Sequence, residues 1–165
     1  MISRALEAEA IMRGLARRLG RDEELWGLTG LLHDVDYPHT KEDPARHGLV
    51  AMDLLEGKLP QDGLHAVRAH NAERTGTAAE TELDFALRCA ESVTGLVVAN
   101  ALVRPTRMAG MTPKSLKKKM KEKAFAANVD RQRIAEHEKI GIELGEFLQI
   151  AIAAVSGVAD RVGLA

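Results

Sequence analysis

The most constraining feature of this sequence is the way that glycine, proline and helix-capping residues divide it into segments of helical length. Apolar residues recur three and four positions apart inside these segments, as they do on the buried face of an α-helix. No run of alternating apolar and polar residues lies between hairpin turns, which a strand pattern requires. The sequence therefore predicts an all-α fold.

The segment boundaries predict seven or eight helices. The first covers residues 3–19, and the second begins after Asp22 and ends near Asp36, because Pro38 disfavours a helical residue before it. Asp43 and Pro44 open a third helix that runs to about residue 56. The others cover about residues 60–71, 81–103, 113–123 and 144–162, with one more after residue 130. No repeat or linker divides the chain, so we expect one helical bundle over residues 1–165.

Charge and composition exclude several classes of partner. The chain has 23 Lys and Arg against 24 Asp and Glu, a net charge of −1, and only 3% aromatic residues, so no nucleic-acid surface is expected. The longest uncharged runs, 92–103 and 147–159, are shorter than the roughly 18 residues of a membrane span. The lone Cys89 cannot form a disulfide within the chain, which predicts a reducing, cytoplasmic compartment.

The lysine-rich segment 114–123 is predicted to be a solvated helix face, with a surface for anionic ligands as the alternative. The sequence contains no glycine-rich phosphate loop and no serine nucleophile elbow. The oligomeric state stays open. The chemistry of this chain must therefore be sought in its histidines and carboxylates.

Three of the six histidines are predicted to point into the protein interior. His33 and Asp34 follow the apolar residues 28–32 where the second helix ends. His47 precedes apolar residues by three, four and seven positions, which predicts the buried face of its own helix, and His70 follows apolar residues by three and four. The remaining three, His39, His65 and His137, are not predicted to be ligands.

Glu91 is a carboxylate within an apolar stretch of the long fifth helix, so it should be neutral, ion-paired or bound to a metal. Taken singly, each of these residues has an ordinary structural explanation, such as a satisfied interior histidine or a pairing of Glu91 with Arg88 or Arg104. Together, imidazoles and carboxylates are the ligands of divalent zinc, iron, manganese or nickel. The predicted metal site consists of His33, Asp34, His47, His70 and Glu91.

Several short motifs resemble the HD superfamily, a group of small all-α metal-dependent phosphohydrolases. They are Ala10-Ile11-Met12-Arg13, Leu31-Leu32-His33-Asp34-Val35-Asp36-Tyr37, Arg46-His47-Gly48-Leu49, Ala69-His70-Asn71, Thr94-Gly95-Leu96 and Ala101-Leu102-Val103-Arg104-Pro105. The resemblance covers most of the chain. It implies hydrolysis of a small phosphorylated compound, such as a nucleotide, with a divalent zinc, iron, manganese, nickel or magnesium ion.

The same resemblance implies roles for further residues of the motifs and the loop beside them. Asp34 or Asp36 would position the attacking water. Lys41 and Arg46 would contact the phosphate, although solvated surface charge is an equally good interpretation of both.

Two positions depart from the family pattern. Arg4 stands where the family has a histidine ligand in the first helix, and Glu91 stands where it has an aspartate. Arginine cannot ligate a cation, whereas glutamate can with a changed geometry. One alternative is therefore a catalytically impaired HD-fold protein in which Arg4 pairs with Glu91 and the pocket serves for ligand binding or interaction. Another is an HD-fold oxygenase with a mixed-valent di-iron centre, distinguishable by colour and iron content.

Overall fold

A computed structural model describes residues 1–165 and is all-helical, with 68% helix and no strands. Eight helices reach seven residues or more, when the continuous helical stretch 131–140 is counted as one, so the prediction of seven or eight is confirmed. The α-helices are α1 (Ile2–Leu19), α2 (Glu23–Leu32), α3 (Tyr37–Thr40), α4 (Leu49–Leu55), α5 (Gln61–Ala69), α6 (Ala72–Thr75), α7 (Glu82–Leu102), α8 (Pro113–Lys121), α9 (Arg131–Ala135), α10 (Leu144–Gly157) and α11 (Ala159–Val162). Two 3₁₀ turns, Pro44–Arg46 and Glu136–Ile140, complete the chain.

Side-chain caps fix where the predicted helices begin. Asp22 accepts a hydrogen bond from the backbone N–H of Leu25 at the start of α2, and Asp130 caps α9 in the same manner. At the start of α7, Thr81 and Asp84 form a reciprocal capping box. These caps satisfy backbone donors that have no partner within the helix, so the starts of α2, α7 and α9 could be predicted from sequence.

The main core lies between α1, α7 and α10. Ile11, Leu87 and Phe147, one from each of these helices, are fully buried in it. Helix α2 lies against α1 at Gly30, where a Cβ atom would come within 2.9 Å of the Ala8 carbonyl oxygen. This close contact brings the C-terminal end of α2 beside the start of α1.

Helix α7 is long and apolar enough to cross a membrane by length and composition, although the longest uncharged run in this region, 92–103, is shorter than a membrane span. Most of its apolar stretch is buried among the other helices, as expected of the central helix of a bundle.

The elements around residues 33–48 differ from the sequence prediction. Helix α2 ends at Leu32, four residues before the predicted end, and the short helix α3 occupies part of the predicted loop. The predicted third helix is interrupted at Gly48, whose φ of 89° lies in the left-handed region that favours glycine. His47 therefore precedes α4 with an extended backbone, and its predicted place on that helix is wrong.

Candidate metal centre

The same kind of hydrogen bond, from Nδ1 to a backbone carbonyl three residues earlier, orients His33 and His70 at the C-terminal ends of α2 and α5. The Nδ1 atom of His33 donates to the Gly30 carbonyl oxygen at 2.6 Å, and Nδ1 of His70 donates to the Val67 carbonyl oxygen. Both carbonyls belong to the last turn of a helix, where backbone acceptors lack a partner within the helix. A carbonyl oxygen can only accept, so Nδ1 of each ring carries a proton, and Nε2 is the ring nitrogen that remains to interact with other groups.

His47 is oriented by a side chain instead. Its Nδ1 atom lies 2.9 Å from Oδ1 of Asp36, and Oδ2 of Asp36 accepts from the N–H groups of Gly48 at 2.7 Å and Ala51 at 3.0 Å. Asp36 is completely buried, and both its oxygens are engaged. The interpretation of Asp36 as a water-positioning residue is therefore wrong, since it cannot reach water or substrate. Asp36 instead holds His47 and the first turn of α4.

The Nε2 atoms of these three histidines converge on Asp34. Oδ1 of Asp34 lies 3.1 Å from Nε2 of His47 and 3.5 Å from Nε2 of His70, and Oδ2 lies 3.4 Å from Nε2 of His33. One ligand atom from each of Asp34, His47 and His70 falls within 4.8 Å of the others. The structure thus brings together four of the five residues that the sequence predicts as metal ligands.

The donor set fits a divalent cation. The Nε2 atom of His33 is buried without a hydrogen-bond partner, although a polar atom so placed needs one. The Nε2 atoms of His47 and His70 are only 3.2 Å apart, and two lone pairs at that separation repel unless a proton or cation relieves them. Nitrogen and oxygen donors, each ring held through its Nδ1 atom, are typical of metal sites in proteins.

The cluster strongly favours the ionised form of Asp34. Burial by itself would raise the pKa of Asp34, but attraction from His33 and hydrogen bonds from His47 and His70 outweigh it and hold that pKa well below its usual range. The pKa of His47 is raised, chiefly by its hydrogen bond with Asp34. Asp34 is therefore a permanent negative charge and a weak base at neutral pH.

Glu91 lies outside the convergent cluster. It is half-buried rather than buried, and its Oε2 atom lies 3.4 Å from Nη1 of Arg133. Arg4 forms no ion pair with Glu91, so the predicted Arg4–Glu91 pair is wrong. Both residues instead line the wall of the cavity above Asp34 and His47.

This cavity, which we call the polar cavity, has a volume of about 380 Å³ and contains a single hydrophobic residue among its lining residues. The lining includes Asp34, His47 and the three cations Arg4, Lys41 and Arg74. Lys41 is therefore among the lining residues, whereas Arg46 is exposed outside the lining. Arg74 was missed because α6 is a single turn with no periodic signal of its own.

Arg133 is a second residue that sequence reasoning missed. Its Nη1 atom donates to the His70 carbonyl oxygen at 2.9 Å, and its Nη2 atom contacts both carboxylate oxygens of Glu73 at 3.1 and 3.0 Å. In the same region Arg88 donates to the Ala69 carbonyl oxygen at 3.0 Å. The backbone that carries His70 is therefore held by arginines from α7 and α9, which no local sequence pattern indicates.

The histidines that were not predicted as ligands lie elsewhere. His137 is buried against Phe147, and its Nδ1 atom donates to the Ile142 carbonyl oxygen. His65 pairs with Asp84 at 2.8 Å, and His39 is exposed on α3.

Comparison with known proteins gives one match. The sequence model of the HD domain matches residues 1–100 of the 165, which include His33, Asp34, His47 and His70. None of the curated proteins matches, and no solved structure matches. The match covers more than half of the chain and contains the convergent cluster, and the chain therefore belongs to the HD domain family.

Proposed function

We propose that this protein is a metal-dependent phosphohydrolase that acts on a small phosphorylated compound. The observation that carries the proposal is the convergence of three oriented Nε2 atoms on the ionised Asp34, at the base of a cavity lined with cations. Membership of a family whose domains generally bind divalent metals supports the same function.

The residues that would hold the ion are Asp34, His47 and His70, with His33 beside them. When bound, the ion supplies Lewis-acid chemistry that polarises a phosphoryl oxygen and makes a water more acidic. Asp34 contributes fixed negative charge and an acceptor that orients a water, and its depressed pKa makes it a poor proton acceptor. The cations Arg4, Lys41 and Arg74 would neutralise the phosphate.

The metal content of the purified protein tests the first part of the proposal. We expect bound divalent metal in the parent protein and its loss in a His33→Ala/Asp34→Ala double variant and in His70→Ala. The control is His39→Ala, which removes an exposed histidine outside the cluster and should keep the metal. Metal content that is unchanged in the double variant would contradict the proposal.

Phosphate release tests the second part. Nucleoside monophosphates and other phosphomonoesters are incubated with the protein, with added divalent ions and with a chelator. We expect release that depends on the ion and on Asp34.

One observation favours a second candidate function, that of a catalytically impaired binding module. Arg4 stands where the family has its first histidine ligand, and Glu91 is held by Arg133 away from the cluster. Metal binding without release of phosphate from any ester would favour this candidate.

A further inference from the structure

A second cavity adjoins the polar cavity and differs from it in character. This apolar groove has a volume of about 520 Å³, and seven of its nine lining residues are hydrophobic. The side chains at its walls include Ile2, Leu31, Leu32 and Val35, from α1 and from the end of α2 onward. It therefore lies on the side of the site where α1 meets α2.

The two cavities meet at three residues. Arg4, Asp34 and Tyr37 line both the polar cavity and the apolar groove. A ligand whose phosphate lies in the polar cavity can therefore extend directly into the groove. We propose that the substrate is a phosphomonoester whose organic group is apolar, an alkyl or aryl group, and that this group occupies the groove; this inference rests on the proposed function of the site.

The groove offers little to a sugar. Its polar side chains are those at the junction with the polar cavity, and Asp34 is already engaged by the histidines. Sugar hydroxyls placed along Leu31, Leu32 and Val35 would lose their hydrogen bonds to water without gaining others, which weakens binding. An apolar group loses nothing comparable and removes apolar surface from water.

The exposed side chains at the groove are consistent with such an occupant. Ile2 is 73% exposed and Tyr37 is 50% exposed, so a bound apolar group would cover surface that now faces water. At the junction, no carboxylate lies within ion-pairing distance of Arg4. Its guanidinium is therefore available for a phosphate, while its methylene groups can lie against the organic part of the ligand.

Another cavity of about 520 Å³ also meets the polar cavity, at Arg4 and Glu91. Its walls include Glu91, Asn128, Asp130 and Arg133, which would suit a hydroxylated group. A polar substrate would extend into that cavity, and an apolar one into the groove. Two ligands of equal size, one apolar and one hydroxylated, can distinguish binding in the groove from binding in that cavity.

The experiment measures equilibrium binding of phosphonates by calorimetry, because their P–C bond is not hydrolysed and binding is then independent of turnover. The matched pair is propylphosphonate and 2-hydroxyethylphosphonate, with methylphosphonate as the reference. We expect propylphosphonate to bind about tenfold more tightly than 2-hydroxyethylphosphonate, with a further gain for hexylphosphonate. Equal affinities, or tighter binding of the hydroxylated ligand, would overturn the inference.

Two variants locate the effect. Ile2→Asn places a polar side chain in the groove at an exposed position and should abolish the preference for propylphosphonate. Val103→Asn, at a 62% exposed residue outside the groove, should keep the preference. A preference that survives in Ile2→Asn would contradict binding in the groove.

This result can be separated from that for the proposed function. If no phosphomonoester is hydrolysed but the phosphonate preference is found and depends on Ile2, the hydrolase proposal fails and the apolar ligand class stands. If esters are hydrolysed without any such preference, the hydrolase proposal stands and the apolar ligand class fails.

Discussion

At the scale of single residues, the candidate metal centre depends both on the side chains that converge there and on the hydrogen bonds that orient each imidazole ring. His33 and His70 could be predicted from sequence because both follow apolar helical residues. The role of Asp36 could not, since its contact with His47 depends on the interruption of the predicted helix at Gly48, which leaves His47 with an extended backbone before α4. The periodic spacing of residues predicts which side chains share a face only where the helix is continuous.

Replacing Asp36 with Asn tests its role in holding His47. The amide offers one acceptor where the carboxylate oxygens accept from Gly48, Ala51 and His47, and its NH₂ group would face donors. We expect a loss of about 1–3 kcal/mol in the free energy of unfolding and a roughly 10- to 100-fold weaker metal affinity. Denaturant titration and metal-binding isotherms measure the two effects. Asp53→Asn, at an exposed position, is the control, and equal effects in both variants would refute this role.

Glu7, one turn from Arg4 in α1, gives the protein a pH-dependent stability. It is almost fully buried in α1, its Oε2 atom has no hydrogen-bond partner, and burial raises its pKa to about 7 against the influence of Arg4. Between its ordinary value of 4.5 and about 7, the folded state keeps a proton that the unfolded state releases. Stability from this group is therefore full at low pH, falls as the pH rises through this window, and levels off above it.

Glu7→Gln tests this linkage because the amide cannot ionise. The parent protein should lose up to about 3 kcal/mol of unfolding free energy between about pH 4.5 and pH 8 through this group. The variant should lack that decrease and be the more stable of the two at the upper pH. Urea titrations of both proteins across the range measure the difference, and parallel pH profiles would contradict it.

At the scale of elements, the long helices could be predicted and the short ones could not. Helix α7 occupies Glu82–Leu102 where residues 81–103 were predicted, because Thr81 caps its start and Pro105 follows its end. Helices α3 and α6 have four residues each, too few for apolar periodicity. They matter nonetheless, since Tyr37 and Arg74 on these turns line the cavity beside the candidate metal centre.

Arg133 shows how α9 supports His70 at the C-terminal end of α5. In Arg133→Met the carbonyl of His70 and the carboxylates of Glu73 and Glu91 lose a charged partner. We expect a loss of about 1.5–3 kcal/mol in stability and a roughly tenfold weaker metal affinity. The matched control is Arg161→Met, an exposed arginine of α11. Restored metal affinity in Arg133→Lys would indicate that a positive charge at this position is sufficient. Unchanged metal affinity in Arg133→Met would show that Arg133 does not support His70.

At the scale of the whole molecule, the family match ends at residue 100 but the core does not. Phe147 of α10 is fully buried in the same cluster as Ile11 and Leu87. The prediction of one domain over residues 1–165 follows from the absence of a linker, and this shared core leads us to expect cooperative unfolding. Which helices contact one another could not be read from the sequence, because amphipathic faces show only that burial occurs.

Phe147→Ala tests that cooperativity. Removing a fully buried aromatic ring should cost about 3–5 kcal/mol of stability. Trp26 lies in α2, far from Phe147 in the chain, so its fluorescence reports on the N-terminal part. We expect the fluorescence and circular dichroism transitions to coincide and to shift together in the variant. A fluorescence transition that does not move would show that the two parts unfold separately.

The hydrogen bonds from His33 and His70 to main-chain carbonyls have a consequence for how this site can vary. A substitution cannot remove a carbonyl oxygen, so changes at Val67 leave the acceptor of His70 in place as long as the helix end persists. His33 is less protected, because any Cβ at Gly30 would collide with the backbone of α1 and displace the carbonyl that orients this ring. His47 depends on a side chain that one base change can alter. Among natural variants of this chain, loss of metal affinity by misdirection of a ring should therefore concentrate at Asp36 and Gly30.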